Sequence, residues 1–468
     1  MINLNFRFRI VLILIGWAST TLLKAQHGEH HTEFDTCSFR TAVCKGKFEG
    51  HARMFAMATD NSAGLMDSWA LAVGAGIGYE TRIYKHFQIG VSGFFTHNLV
   101  SSDMDMRDSL TNSLNRYELG LFDIEDPNNK HDLDRLEKLY LRGYWKNGNA
   151  TLGKQLLNTP FINGQDGRMM PTKENGIWLQ QRAGKFKFEG GWIWAISPRS
   201  TVNWYKVEDT YGIFPNGVAT NGDKSDYEHH ISSAGIGIGS VHYRNNGWNI
   251  GLWNQYADNV FNTAMLELKW NNFKDSTQHP LETGIMYVRQ DAINDGGNED
   301  QSKTYMERNA YANVISAFVG YRLNRKYKLS VAYTHITGDG RFLMPRAWGR
   351  EPFYTFMQRE RNEGVGNVHA VVVRAERYAN KHPFVYALSV GYYQLPDVKN
   401  YRLNKYGMPS YLQVNGEAKY DLSERIEGLE ISALVVYKMN MGNTYDNPRF
   451  IFNKVDVFNY NLVLNYHF

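Results

Sequence analysis

The densest chemistry in this sequence lies at 336–363, where Arg341, Arg346, Arg350, Arg359 and Arg361 are interleaved with Trp348, Phe353, Tyr354 and Phe356. Single-stranded nucleic acid is bound by such a mixture. An external loop that folds over a pore mouth, or rests on lipopolysaccharide phosphates, needs the same residues. Charge separates the two. A leader over 1–25 removes three of the 51 basic residues, leaving 48 against 47 acids, a net of +1. A chain so balanced has no general affinity for nucleic acid, so the external loop is expected.

Other candidate chemistry is thin. Gln26-His27-Gly28-Glu29-His30-His31 and Glu33 could hold Zn, Cu or Ni. Short His tracts also bind such ions adventitiously, and neither a metal site nor any other cofactor is expected. Ser, His and Asp are plentiful, yet no local motif groups a nucleophile with a base, so the chain is not read as an enzyme. The two cysteines, Cys37 and Cys44, stand close together near the mature start. In an exported chain their simplest use is a disulfide.

Export is indicated by the first 25 residues. Arg7 and Arg9 precede the apolar run Ile10 to Ala18, and Leu23-Lys24-Ala25 offers a cleavage site before Gln26. That run is too short to cross a bilayer as a helix, which needs roughly 20 residues. The mature chain shows no helical span either. Its aromatic content is 14%.

What recurs is alternation. Phe458, Tyr460, Leu462, Leu464, Tyr466 and Phe468 occupy one face of the last segment, opposite Asn459, Asn461, Asn465 and His467. Period two places these sets on opposite sides of a strand. Phe384, Tyr386, Leu388, Val390 and Tyr392 repeat the pattern, as do Leu412, Val414, Ala418 and Tyr420. Eighteen such segments are expected between 46–59 and 455–468. Short turns such as Lys146-Asn147-Gly148 and Ala183-Gly184-Lys185 alternate with long connections at 98–135, 195–231, 291–311 and 338–365. An even number of strands joined in this way is the pattern of an outer-membrane antiparallel β-barrel. With 16–18 strands it leaves an aqueous channel. The expected organisation is a signal peptide at 1–25, a periplasmic extension at 26–45 carrying the disulfide, and a barrel at 46–468.

Polar faces of the strands then become lumen. Arg142 shares a face with Lys138, Tyr140 and Tyr144, opposite Leu139, Leu141 and Trp145. Arg182 follows Trp178 and Gln180, Arg53 accompanies Glu49 and His51, Arg374 accompanies Glu376, and Arg322 lies on the polar side of its strand. A cation on the lipid face at midplane would cost roughly 2–4 kcal/mol. Inward cations serve either as a filter or as wall ion pairs, the use expected of Lys185 and Lys187 with Glu189, and of Lys269 with Glu267.

Residues 151–182, TLGKQLLNTPFINGQDGRMMPTKENGIWLQQR, resemble the OprD family of substrate-selective porins, as does the opening strand Phe48-Glu49-Gly50-His51-Ala52-Arg53-Met54-Phe55. The resemblance implies 18 strands, a lumenal ladder of basic residues and a preference for small carboxylate-bearing solutes. It also implies that the loop bearing Asp166-Gly167-Arg168-Met169-Met170-Pro171 folds into the lumen. Residues 157–175 are therefore expected inside, with Arg168 at the narrowest passage and Asp166 as its counter-charge. The expected pore lining is Arg53, Lys138, Arg142, Asp166, Arg168, Arg182, Arg322 and Arg374. Expected partners are outer-membrane lipid, lipopolysaccharide and small solutes. The alternative is a structural or adaptor barrel that binds other envelope proteins.

Overall fold

The computed structural model describes residues 38–165, 167–271, 281–323, 326–377 and 382–468. The leader, the His tract, Cys37 and Asp166 lie outside the described residues. A short helix α1 (Phe39–Cys44), capped by Ser38, precedes the first strand. The first nine strands are β1 (Lys47–Asp60), β2 (Ser68–Glu80), β3 (Phe87–Ser101), β4 (Leu133–Trp145), β5 (Gly148–Gln155), β6 (Lys173–Ala183), β7 (Phe186–Ser197), β8 (Tyr205–Lys206) and β9 (Ile236–Asn245). Then come β10 (Trp248–Ala257), β11 (Phe261–Asn271), β12 (Leu281–Ala292), β13 (Tyr311–Arg322) and β14 (Tyr327–Ile336). The last are β15 (Val368–Arg377), β16 (Phe384–Gln394), β17 (Tyr411–Asp421), β18 (Leu429–Asn440) and β19 (Val457–His467).

Strand β8 is a two-residue ribbon on the end of β7. The other eighteen pair antiparallel in chain order, β7 passing directly to β9. Strand β19 returns to β1, with His51 opposite His467 and Asp60 opposite Phe458. The sheet is closed, and no edge is left to aggregate.

Its burial is inverted relative to a soluble domain. Leu139, Leu252, Ile285, Val319, Leu388 and Leu462 are exposed on the outer face, while Gln290, Ser316, Gln413, Asn415, Asn459 and Asn461 are buried within. Two outward bands of aromatics bound the apolar wall. Trp69, Tyr287, Tyr333, Tyr392 and Tyr460 stand at one end, and Phe87, Trp145, Trp248, Tyr321 and Tyr420 at the other. Such girdles mark the two membrane interfaces of an outer-membrane barrel.

Two-residue turns at 146–147, 184–185 and 246–247 lie at the second end. Asn246 and Gly247, with φ of 46° and 84°, form one of them. Paired positive φ values match the twist of a two-residue hairpin and favour Asn-Gly. The first end carries the long connections, with 61–67 and 258–260 shorter. These loops fold inward, and the apolar core lies inside the barrel. Leu157, Phe161 and Ile162 pack there with Tyr211, Tyr227, Tyr305, Trp348 and Phe353. A second cluster joins Tyr117, Leu119, Leu121 and Phe122 to Met169, Met170 and the inner wall residues Phe55, Met57 and Phe94.

Candidate functional site

The wall positions the inward loops through side chains that reach backbone atoms. Arg135 on β4 donates from Nη1 to Ser197 Oγ at 3.1 Å and to Pro198 O at 3.2 Å, and from Nη2 to Pro171 O. One buried guanidinium therefore fixes the end of loop 156–172 and the start of loop 198–235. Glu174 on β6 accepts from Leu157 N at 2.7 Å, drawing together the base of loop 156–172. Arg53 on β1 donates from Nη1 to Arg168 O at 2.6 Å and from Nε to Asn465 Oδ1 at 2.7 Å.

Loop 337–367 docks against loop 156–172. Asn163 N donates to Trp348 O at 3.1 Å, and Asn163 Nδ2 donates to Arg350 O at 3.0 Å. Trp348, fully buried, donates from Nε1 to Thr210 Oγ1 at 2.8 Å. Near the loop end of β18, Lys438 Nζ donates to Arg359 O at 2.9 Å and pairs with Glu360, while Tyr354 donates to Glu267 further along the wall, on β11, at 2.8 Å. The arginine-rich segment therefore descends to the wall, correcting the expectation that it lies over the mouth or on lipid. Its aromatics need a core, and the barrel interior supplies one.

Between these loops lies a cavity of about 1920 Å³. Among the described residues, fourteen Arg and Lys line it against five Glu. Arg168, Arg199, Arg359, Arg361, Lys405 and Lys454 are among the cations. Burial holds Arg168 and Arg199 below the usual arginine range, each pulled further down by neighbouring arginines. Burial brings Arg359 and Arg361 to about 10, so they stay charged at neutral pH. Lys405 and Lys454 fall to about 7 for the same reason. Glu118, whose Oε1 accepts from Thr59 at 2.6 Å, rises by burial to about 7. Chemically the site can attract small anions.

A family model described as outer membrane porin, OprD family, matches residues 117–362, more than half of the 468-residue chain. The chain belongs to the OprD family of outer-membrane porins. No curated protein sequence matches it. Among solved structures, Pseudomonas aeruginosa OccK9 (OpdG) is 14% identical with a TM-score of 0.69, over 91% of this chain and 99% of that one. Acinetobacter baumannii OccAB3 is 12% identical, also at 0.69, over 91% and 100%. P. aeruginosa OpdK, solved with vanillate, is 13% identical at 0.66, over 91% and 99%. These TM-scores establish a shared barrel fold.

Within this porin the eight sequence-derived candidates separate. Arg168 lines the cavity, and loop 156–172 lies inside as expected. Arg53 holds that loop by its backbone. Arg142 donates to Thr151 Oγ1 at 2.9 Å and lies over the ring of Tyr140. Lys138 pairs with Glu49 and Glu80, Arg322 with Glu282, and Arg374 with Glu376 and Glu417. Lys187–Glu189 and Lys269–Glu267 are also paired. Arg182 is exposed near the turn end of β6. Apart from Arg168, none of the described seven lines the cavity.

Sequence reasoning noticed Arg359 and Arg361 but misplaced them, and it missed Arg199, Lys405 and Lys454. The available signal was the mixture itself. Long loops with bulky apolar residues are packed by their own side chains.

Proposed function

We propose that this porin is a passive channel for small carboxylate-bearing solutes, filtered by the basic face of its inward loops. The observation that carries the reading is the excess, among the described residues, of fourteen cations over five carboxylates around the cavity. Rings and clusters of one sign are how pores select ions. The vanillate in the OpdK structure, an aromatic carboxylate, supports the solute class. By the ordinary topology of such barrels the long loops face outward from the cell and the tight turns face the periplasm. Among the sequence-derived candidates, Arg168 belongs to the filter. Lys138, Arg322 and Arg374 keep the wall in shape through their glutamate partners.

Purified protein in a planar bilayer under a tenfold KCl gradient tests this. The reversal potential should have the sign of chloride selectivity. Benzoate added to one side should then carry or block current at concentrations where the uncharged analogue benzamide does nothing. A cation-selective potential, or no conductance, would reject the reading.

A further inference from the structure

The long connection after β3 has a charge opposite to that of the cavity. Between residues 98 and 135, Asp103, Asp105, Glu125, Asp126, Asp132 and Asp134 are exposed, against exposed Arg107 and Lys130. None of these acids lines the cavity.

Two histidines meet beside this acidic surface. His97 lies on β3 between buried Thr96 and Asn98, so period two turns it outward with Phe95 and Leu99. His131 is exposed, two residues before β4. The backbone sets them side by side. Thr96 is opposite Leu133, and Asn98 N donates to Lys130 O at 3.4 Å. The side chain of Asn129 steadies the turn, accepting from Asp132 N at 3.0 Å and donating to Asp132 O at 2.7 Å.

The two rings stack, with centroids 5.0 Å apart and planes inclined by 25°, and their Nδ1 atoms lie 3.4 Å apart. That separation is long for a hydrogen bond, and neither ring makes another one among the described residues. It is, however, the separation an ion needs. Zn–N bonds of about 2.0–2.1 Å at the tetrahedral angle place two nitrogens about 3.3–3.4 Å apart. Each surface ring has only to turn until its Nδ1 lone pair meets the ion. The carboxylates around the pair raise the local concentration of cations. Imidazole then selects Zn, Cu or Ni over Mg and Ca, which take oxygen ligands. No third His, Cys, Asp or Glu is within reach among the described residues, so water fills the remaining positions.

We propose that His97 and His131 form a two-imidazole site for a divalent transition cation, Zn, Cu or Ni, on the outer surface of the barrel. The ion ties the end of loop 102–132 to β3. The site is independent of the anion-channel reading and stands or falls without it.

Diethylpyrocarbonate acylates imidazole nitrogens that have a free lone pair, and mass spectrometry of the digested protein reads each histidine separately. An imidazole that holds an ion on Nδ1 has no lone pair left at Nε2. The intact detergent-solubilised protein is labelled at pH 7.5 with a hundredfold molar excess of zinc, of magnesium, or of neither. Zinc should slow labelling of His97 and His131 together, at least fivefold, while magnesium leaves both rates unchanged. In His97→Gln the protection of His131 should be lost, and in His131→Gln that of His97, with both variants still compact on unheated SDS gels. Absence of protection by zinc in the unaltered protein overturns the site. So does protection of one histidine that survives loss of the other, which marks an adventitious ion on a single ring.

Discussion

A guanidinium in a wet lumen acts at a distance set by screening, about 8 Å at physiological salt. At ~6 Å in water a unit charge is worth about 0.7 kcal/mol, roughly halved by that screening. Arg168→Ala removes this term for anions and cations with opposite signs. The anion-to-cation permeability ratio should therefore drop roughly threefold, read as a shift of reversal potential. Loop 156–172 should stay in place, because Arg53 holds the backbone of residue 168. An unchanged potential would make Arg168 structural. The lysines predict a pH dependence. Lys405 and Lys454, at about 7, are charged below neutrality and neutral above it. Glu118, also at about 7, is neutral below and charged above. All three changes run the same way, so chloride preference should be stronger at pH 6 than at pH 8. Equal reversal potentials at the two values would contradict this. These residues were partly legible. Arg168 was found through the loop that carries it, whereas Arg199, Lys405 and Lys454 sit in no motif and acquire meaning only by convergence.

Strands and loops of this porin differ in how much they disclose. A lipid-facing wall forces apolar and polar residues to alternate, so each strand announces itself. The segment expected at 409–420 is Tyr411–Asp421, and that expected at 232–243 is Ile236–Asn245. An inward loop has no such period. Its apolar residues meet partners from other loops, Phe342 against Phe161 and Trp348 against Tyr211, and nothing in 337–367 alone says whether Trp348 faces solvent, lipid or lumen. The structure makes Trp348 the peg between that loop and Thr210. Replacing a buried Trp by Ala costs about 3–5 kcal/mol. Trp348→Ala should leave the eighteen wall strands folded and release loop 337–367. Single-channel current should become larger and noisier, and limited proteolysis of the intact protein should cut within 337–367. A quiet, unchanged channel resistant to protease would show that Phe342, Phe353 and Met357 hold the loop without it.

At the scale of the whole molecule, stability depends on closing a ring whose first and last strands lie at opposite ends of the chain. The even number of alternating segments in the sequence predicts such a closed ring. The structure shows how the last strand is seated. Strand β19 pairs with both β18 and β1, and Phe468 N donates to Gly50 O at 3.0 Å while Gly50 N donates to Phe468 O at 2.9 Å. Beside this seam, Gly428 sits in the β17–β18 turn with φ of 78° and accepts from His467 N at 3.0 Å. A Cβ there would fall 1.9 Å from His467 O, a backbone atom that cannot move without shifting β19. A β-branched residue adds the strain of positive φ to the clash. Gly428→Val should thus cost more than the 1–3 kcal/mol typical of overpacking and should impair docking of the closing strand. Gly416→Ala, on the outer face of β17 where a Cβ meets nothing within 4 Å, is the matched control. Refolded into detergent and run unheated on SDS gels, the control should migrate as the compact barrel. Gly428→Val should show a reduced folded band. Equal folded fractions in the two variants would mean that the last turn does not limit closure, and that the seam is set by the β1–β19 pairing alone.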